Sequence, residues 1–318
     1  MIAKKKNDAK VQNPENWTNQ AQPIRAFIIY NPVAGTSNAK NITDRLKKTL
    51  EEKQLAYAIH EWQSGEDLDA VIGSAVEKGY TRFIAMGGDG TFSNVANSLV
   101  NRQIPIGFIP TGSTNVMARE LNIPLTVNRA IDLCLNGNRT RSIDAMQIDG
   151  RHYFLNVGIG ISAKAIENTR REEKRKIAWL AYVQSGLAQL SGIHLKRFHV
   201  SFDDRQTQAR ASEVHITNLG LIGFEPFRWS EDIQPDDGLL DVHVLRARTL
   251  MDYLKVGVNM VLRRSRKSRA LRSFQARRQI SVECEDTLPV QADGDLIGKT
   301  PITIQLVPNS VQVVVSER

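Results

Sequence analysis

The stretch Phe83-Ile84-Ala85-Met86-Gly87-Gly88-Asp89-Gly90-Thr91 decides the reading of this chain. Four apolar residues describe a buried strand, and the glycines that follow strip the backbone of side chains. Phe92, Val95, Ala96 and Leu99 then fall at helical spacing, with Thr91 as the expected N-cap. A strand, a glycine loop and a helix N-terminus in that order make a site for anionic oxygen. Phosphate can approach a backbone without Cβ atoms, and free N–H groups together with the helix dipole favour negative charge. Asp89 is the odd member, because a carboxylate repels phosphate. It fits if it holds Mg²⁺, directly or through water, or orients a transferring group. A tight strand-to-helix turn with an acid at its mouth is the structural alternative, and a short glycine pattern alone does not separate the two.

On the N-terminal side, Ala26-Phe27-Ile28-Ile29-Tyr30 is a buried-strand run closed by Asn31-Pro32-Val33-Ala34-Gly35. A helix is predicted over residues 39–52, with Ile42, Leu46, Leu50 and Leu55 along its inner edge. A second strand follows at 56–62, and Leu68, Val71, Ile72, Ala75 and Val76 mark a second helix. Beyond the glycine loop come a strand at 106–109 and a helix over about 115–121. Alternation of this kind argues for an α/β domain, a parallel sheet covered by helices on both faces. Ligands of such sheets collect at the carboxyl ends of strands, and the Asn31, Gly87–Thr91 and Pro110–Asn115 loops all fall there.

Past about Arg141 the texture changes. Residues 142–148 and 151–157 flank Asp149-Gly150, a strong hairpin signal. Further strand-like runs lie at 195–202, 209–217, 240–245, 279–283, 302–306 and 311–315, which points to an antiparallel β-sandwich. Helical stretches at about 162–190 and 250–265 interrupt it. No internal repeat is visible.

With 318 residues, 41% of them hydrophobic and 24% charged, the chain has the composition of a globular protein of about two domains. Its net charge of +8 implies an acidic partner: nucleic acid, anionic lipid or nucleotide. The two cysteines, Cys134 and Cys284, and six scattered histidines lack metal-ligand spacing, so no zinc site is expected and a reduced, cytoplasmic setting is the simplest reading. Residues 1–22 are polar, lysine-bearing and interrupted by Pro14. They read as a flexible arm, with no apolar segment of the secretory type.

Two patterns mislead. Gly294-Asp-Leu-Ile-Gly298-Lys299-Thr300 resembles a P-loop but has three residues between its glycines where four are needed, and a strand-like run follows it. Gly158-x-Gly160-x-x-Ala163 resembles a dinucleotide fingerprint but lies in the sandwich half, without a second parallel strand.

Taken together, the loops resemble the bacterial lipid kinases of the diacylglycerol kinase catalytic-domain family, to which sphingosine kinases are related. The resemblance rests on Asn31-Pro-x-Ala-Gly35, Gly87-Gly-Asp-Gly-Thr91, Pro110-Thr-Gly-Ser-Thr-Asn115, Asp237-Gly-Leu-Leu-Asp241 and Asp293-Gly-Asp295, in that order, and runs from about Ile24 onward. It implies an N-terminal α/β domain (23–140) like that of NAD kinases and 6-phosphofructokinases and a C-terminal β-sandwich for the lipid (141–308). The final strand (309–318) would return to the first domain. It further implies that ATP phosphates lie on Gly87, Gly88, Asp89, Gly90 and Thr91, with Asn31, Asn94, Ser113, Thr114 and Asn115 lining the nucleotide site. Mg²⁺ would be held around Gln234, Asp237 and Leu239, with Asp144 in the same network. Asp144 also reads as a strand-edge carboxylate paired with Arg141. The acidic motif near the C-terminal end supplies the base, here Asp295 or Asp293.

Departures from the family pattern concern that base first. Asp295 stands where Glu is usual, so its arm is one methylene shorter and Asp293 becomes a second candidate. Two carboxylates this close repel, which can raise one pKa. Ser113 replaces a common Thr, Val116 a frequent Asp, and Glu61 stands where relatives place Thr. Asp237-Gly238 and Asp293-Gly294 are also plain turn formers, as Asp149-Gly150 is taken to be.

Eight Arg or Lys and no acid fall between Arg263 and Arg278, and a second basic cluster spans 170–176. The run 177–195 that follows has no charged residue, yet its glutamines, serines and glycines make it too polar to span a bilayer. It reads as a helix buried on the sandwich, in a homodimer contact, or facing lipid. Basic clusters hold soluble enzymes on anionic membranes, whereas nucleic-acid binding lacks both a motif and interleaved aromatics. The expectation is an ATP- and Mg²⁺-dependent kinase of diacylglycerol or a related lipid, peripheral to the membrane. A small-metabolite kinase of the NAD kinase type and a catalytically weak nucleotide- or lipid-binding protein are the alternatives. The first of these lacks its second Asn-Glu or Asn-Asp loop. Replacing Asp89 by Asn is expected to leave folding normal and remove transfer.

Overall fold

A computed structural model describes residues 23–32, 39–63, 65–168, 194–264 and 268–317. The 1–22 arm, residues 33–38 of the first loop, the 170–176 basic cluster, the apolar run up to residue 193 and Arg266–Lys267 lie outside the described residues.

Strands β1 (Arg25–Tyr30), β2 (Ala56–Glu61), β3 (Arg82–Gly87) and β4 (Ile106–Pro110) pair in parallel in the order β2-β1-β3-β4. Side chains alternate across a strand, so each apolar run must be buried twice. Phe27, Ile29, Phe83 and Phe108 face α2 (Leu68–Glu77) and α3 (Asp89–Ser98) through Ile72, Phe92 and Val95. Ile28 and Ile84 face α1 (Ala39–Glu52) and α5 (Val127–Asn136) through Leu46, Leu50, Ile131 and Cys134. The short α4 (Val116–Glu120) lies between α3 and α5 in the chain. Helix α5 has no counterpart in the sequence reading. Helix α3 starts earlier than expected, because extended Gly88 is its N-cap and Thr91 is buried in its first turn.

The second half contributes β5 (Thr140–Ile148), β6 (Arg151–Tyr153), β7 (Asn156–Gly160), α6 (Ile161–Asn168), β8 (Lys196–Phe202), β9 (Arg205–Ala211), β10 (Glu213–Thr217) and β11 (Leu240–Leu245). Helix α7 (Leu250–Val261) and β12 (Leu271–Ala276), β13 (Gln279–Cys284), β14 (Pro289–Ala292), β15 (Asp295–Lys299) and β16 (Ile302–Val314) follow. One antiparallel sheet has the order β12-β11-β10-β7-β14-β15. It packs Val157, Val214, Val242 and Val290 against Met146, Phe198, Ile280 and Ile304 of the other layer, which is the sandwich core. That other layer is continuous with the parallel sheet. β16 pairs antiparallel with β13 (Ile304↔Ile280) and β5, and in parallel with β4 (Val313↔Ile106).

Apolar runs did not always map onto single strands. Residues 151–157 divide between β6 in one sheet and β7 in the other, and 209–217 divide at Ser212 between β9 and β10. Conversely, the runs at 302–306 and 311–315 belong to one strand, β16, whose register shifts between Val307 and Val311. Periodicity reports which residues are apolar, not which sheet receives them. β7 runs antiparallel to both neighbours, so the Gly158-x-Gly160 pattern has no parallel-strand context. Asp149-Gly150 forms the β5–β6 hairpin turn with φ values of +49° and +81°. No described helix is long and apolar enough to cross a membrane.

Candidate active site

The carboxyl ends of β1, β3 and β4 meet at one edge. The Asn31 N–H donates to Met86 O at 3.2 Å, and the Thr111 N–H donates to Gly87 O at 2.8 Å. Two glycine loops touch there backbone to backbone: a Cβ on Gly112 would come within 2.6 Å of Gly88 Cα. A Cβ on Gly87 would lie 2.3 Å from Thr91 Oγ1, a buried hydroxyl without a hydrogen-bond partner among the described residues. Glycine is required by packing at both positions.

The polar side chains assigned to this loop brace it. Asp89 accepts from the Thr114 hydroxyl (3.1 Å) and from the N–H groups of Val116 (3.0 Å) and Met117 (3.0 Å), capping α4. Burial pushes its pKa up, against those three donors. Asp89 therefore ties the first glycine loop to the second, where the sequence reading had it at a phosphate mouth outside the core. Asn115, in the left-handed region at φ +48°, accepts from Gly112 N–H (3.1 Å) and donates to Gly112 O (2.8 Å). Asn94 donates to Gly90 O (2.7 Å) and accepts from Arg151 (2.6 Å). Ser113 is exposed at the loop tip.

The second half docks on this loop's helix. Asp293 and Gly294, with φ +49° and +92°, form the hairpin turn between β14 and β15. The Asp293 carboxylate accepts from Ser93 Oγ on α3 (2.8 Å) and from the N–H groups of Phe154 (2.9 Å), Leu155 (2.9 Å) and Asn156 (3.1 Å). Its pKa is raised by burial, not by repulsion from Asp295. Four donors occupy it, and it acts as a clamp. Asp295, two residues on, is exposed. Nothing in the sequence marked Ser93 or Arg151 as partners in this joint.

A second acidic region lies at the start of β11. Asp144 is buried and accepts from Gly238 N–H (2.8 Å) and Asn309 N–H (2.8 Å). It is not paired with Arg141, whose guanidinium donates to Asp236 (2.7 Å) and to Gln234 Oε1 (3.0 Å). Burial, then the nearby Asp236 charge, raises the Asp144 pKa. The Asp237 carboxylate accepts from Leu239 N–H at 3.0 Å, and its pKa is pushed up to about 6 by partial withdrawal from water and by Asp241 and Asp144. Among the described residues no three His, Cys, Asp or Glu side chains gather closely enough to enclose a metal. One carboxylate with backbone oxygens is the donor set this turn provides, and hard cations accept such a set. Gln234 has its side-chain oxygen on a guanidinium, so only its backbone carbonyl suits a cation.

The joint is closed by Arg228, which donates to Glu120 of α4 at 2.8 Å, while Glu120 also accepts from Leu221 N–H at 3.1 Å. A parallel sheet with glycine loops at its carboxyl ends, joined through a shared strand to an antiparallel sandwich, defines a two-domain fold of the NAD kinase-like type. The Diacylglycerol kinase catalytic domain model matches residues 25–148, and the YegS C-terminal NAD kinase beta sandwich-like domain model matches residues 156–315. The chain belongs to the diacylglycerol kinase catalytic-domain family.

Among its relatives is a Bacillus subtilis protein named Diacylglycerol kinase, 27% identical over 282 residues that cover 87% of this chain and 91% of that one. A Synechocystis protein, sll0036, is 28% identical over 301 residues, covering 90% and 69%. A solved structure described as a diacylglycerol kinase from Bacillus anthracis superposes with TM-score 0.69 at 18% identity, covering 93% of this chain and 98% of that one. Another from the same organism reaches TM-score 0.77 at 22% identity, covering 92% and 97%. Both show the same fold.

Proposed function

We propose that this chain is an ATP-dependent lipid kinase that transfers the γ-phosphoryl group to a hydroxyl of diacylglycerol or a related lipid. The observation that carries this reading is the Ser93–Asp293 hydrogen bond of 2.8 Å. It joins the acidic hairpin to the helix that begins at the glycine loop, and transfer needs those two motifs side by side. Backbone N–H groups of Gly87 to Gly90 and the N-terminus of the ten-residue α3 bind phosphate oxygens. Asn31, Thr91, Ser113 and Thr114 line the nucleotide. Asp89, Asn94 and Asn115 serve it by holding the loops in shape. Asp295 accepts the hydroxyl proton as the lipid oxygen bonds to phosphorus and the bond to ADP breaks. Asp293 holds the hairpin in place. The Asp237 carboxylate with the backbone oxygens of Gln234 and Leu239 would hold Mg²⁺, and Asp144 fixes that turn through Gly238. Bound Mg²⁺ supplies positive charge that organises this acidic region. Residues 23–140 serve the nucleotide and 141–308 the lipid, with β16 common to both.

The test is transfer of labelled phosphate from ATP to a panel of detergent-dispersed lipids. Diacylglycerol or a close relative is expected to accept label, Asp295→Asn to lower turnover at least a hundredfold without changing ATP affinity, and Asp295→Glu to retain activity. Full turnover by the Asn variant removes Asp295 as the base. ATP binding with no lipid labelled leaves a nucleotide-binding protein instead of a kinase.

A further inference from the structure

Helix α7 carries an exposed apolar stripe. Of the nine large apolar side chains exposed among the described residues, six lie on or just after this helix: Leu250, Met251, Leu254, Val258, Val261 and Leu262. At about 100° per residue they fall within roughly 120° of arc, a single face. The exposures are high, 57% for Met251, 53% for Leu254 and 56% for Val258. The opposite face is spoken for, since Val256 and Met260 pack on Trp229, Ile233, Leu245 and Leu271. The helix is therefore anchored on one side and apolar on the other, and its start is fixed by a Thr249–Asp252 capping box. Helix propensity does not account for such a stripe, and an exposed apolar patch of this kind marks a contact surface.

Charge identifies the contact. Between Arg246 and Arg278 the sequence holds eleven Arg or Lys and one acid, Asp252, which is spent on the cap. Among the described residues Arg248 is exposed just before the helix, Lys255 along it, and Arg263 and Arg264 just after it. Of these four, Arg263 is the one offset by Glu231, at 3.2 Å, a carboxylate that also pairs with Arg228 at 3.8 Å. An apolar stripe ringed by cations, with no aromatic on its exposed face, suits neither nucleic acid nor a neutral protein groove. It suits a helix lying in the plane of a bilayer interface, with Leu, Met and Val side chains among acyl chains and the basic rim on anionic headgroups.

We propose that α7 is the membrane-docking element of this protein and that it lies flat on anionic phospholipid surfaces. The same helix packs on Ile233, next in sequence to the Gln234–Leu239 turn. This goes beyond the kinase reading and stands or falls apart from it.

The experiment is co-sedimentation of the full chain with vesicles of phosphatidylcholine mixed with phosphatidylglycerol, without ATP, alongside light scattering of the protein alone. Wild type is expected to bind, and phosphatidylcholine vesicles alone to bind at least tenfold more weakly. The double variant Leu254→Asp/Val258→Asp, both at solvent positions, is expected to lose binding at least tenfold at low and high salt. Replacing Arg263, Arg264, Arg266 and Lys267 by Gln is expected to weaken binding at low salt and flatten its salt dependence. Both variants should phosphorylate detergent-dispersed lipid as wild type does. Unchanged vesicle binding by the Asp variant overturns the proposal. So does a wild-type dimer that this variant converts to monomer while vesicles are ignored, which would make the stripe a self-contact. Loss of kinase activity in Asp295→Asn with vesicle binding intact bears on catalysis alone.

Discussion

Asp293 and Asp295 stand two residues apart and differ in every physical respect. The first is half-buried and accepts from four donors, the second faces water. Hydrogen bonds to a charged acceptor contribute more than neutral ones, and removing the acceptor leaves buried N–H groups unsatisfied. Asp293→Ala should therefore lower stability by about 3 kcal/mol in urea unfolding, whereas Asp295→Ala should leave the midpoint unchanged. Equal midpoints for the two variants would contradict the clamp. Asp89 follows the same logic. With its oxygens accepting from Thr114, Val116 and Met117, Asp89→Asn places an amide N–H₂ against backbone donors. A loss of about 1–2 kcal/mol is expected, in contrast to the normal folding that the sequence alone suggested. A thermal scan of the purified variant checks it, and an unchanged Tm would return Asp89 to the open mouth of the loop.

At the level of elements, buried polar groups mark where strands and helices are fastened. Arg82 at the start of β3 is 1% exposed and donates to the carbonyls of Cys134 (2.9 Å) and Gly137 (2.9 Å), which closes the C-terminus of α5. Arg82→Met should destabilise by about 2–4 kcal/mol and should raise hydrogen exchange in α5 more than in α1. On β11, His243 stacks on Trp229 at 4.2 Å and shares Nδ1 with Ser273 Oγ at 2.8 Å. Burial, with His215 nearby, pushes its pKa from 6.5 down to about 3. The folded state thus holds the neutral ring, so this stabilisation is complete above pH 6.5 and is lost as pH falls towards 3. Its slope is about 1.4 kcal/mol per pH unit inside that window. His243→Gln should accordingly lose about 2 kcal/mol less than wild type between pH 7 and pH 5. Parallel urea titrations at the two pH values test this, and equal losses would remove His243 from the acid response.

Over the whole molecule, the parallel half was legible because its strands are buried on both faces. Phe27 to Tyr30 and Phe83 to Met86 read as unbroken apolar runs that admit one interpretation. The sandwich was legible as a class but not strand by strand. Ser212 and the Phe154–Leu155 pair let the chain cross between sheets without interrupting the apolar pattern, and Leu271–Ala276 is too polar to announce β12. The glycine loops and the Asp-Gly turns could be found because turn chemistry is local. Partners such as Ser93 with Asp293, or Asp144 with Gly238 and Asn309, could not, since only the fold brings them together. The junction also bears on dissection. A fragment of residues 23–140 lacks β16 and leaves the edge of β4 unpaired. It should aggregate, and a fusion that appends residues 302–317 should recover soluble material. Soluble, nucleotide-binding 23–140 would show that the shared strand is dispensable.

Pairing of Val313 with Ile106 sets a timetable as well as a shape. A chain emerging from the ribosome can assemble β1 to β4 early, but the neighbour of β4 arrives only after the entire sandwich sequence has been made. Contacts so distant in sequence slow folding, because the intervening loop must close before they are rewarded. Through that interval the nascent half exposes a strand edge that invites pairing with other chains. The glycine loops, whose contacts lie within residues 87–117, can form early, but the Ser93–Asp293 joint cannot, so a half-made chain has no completed site.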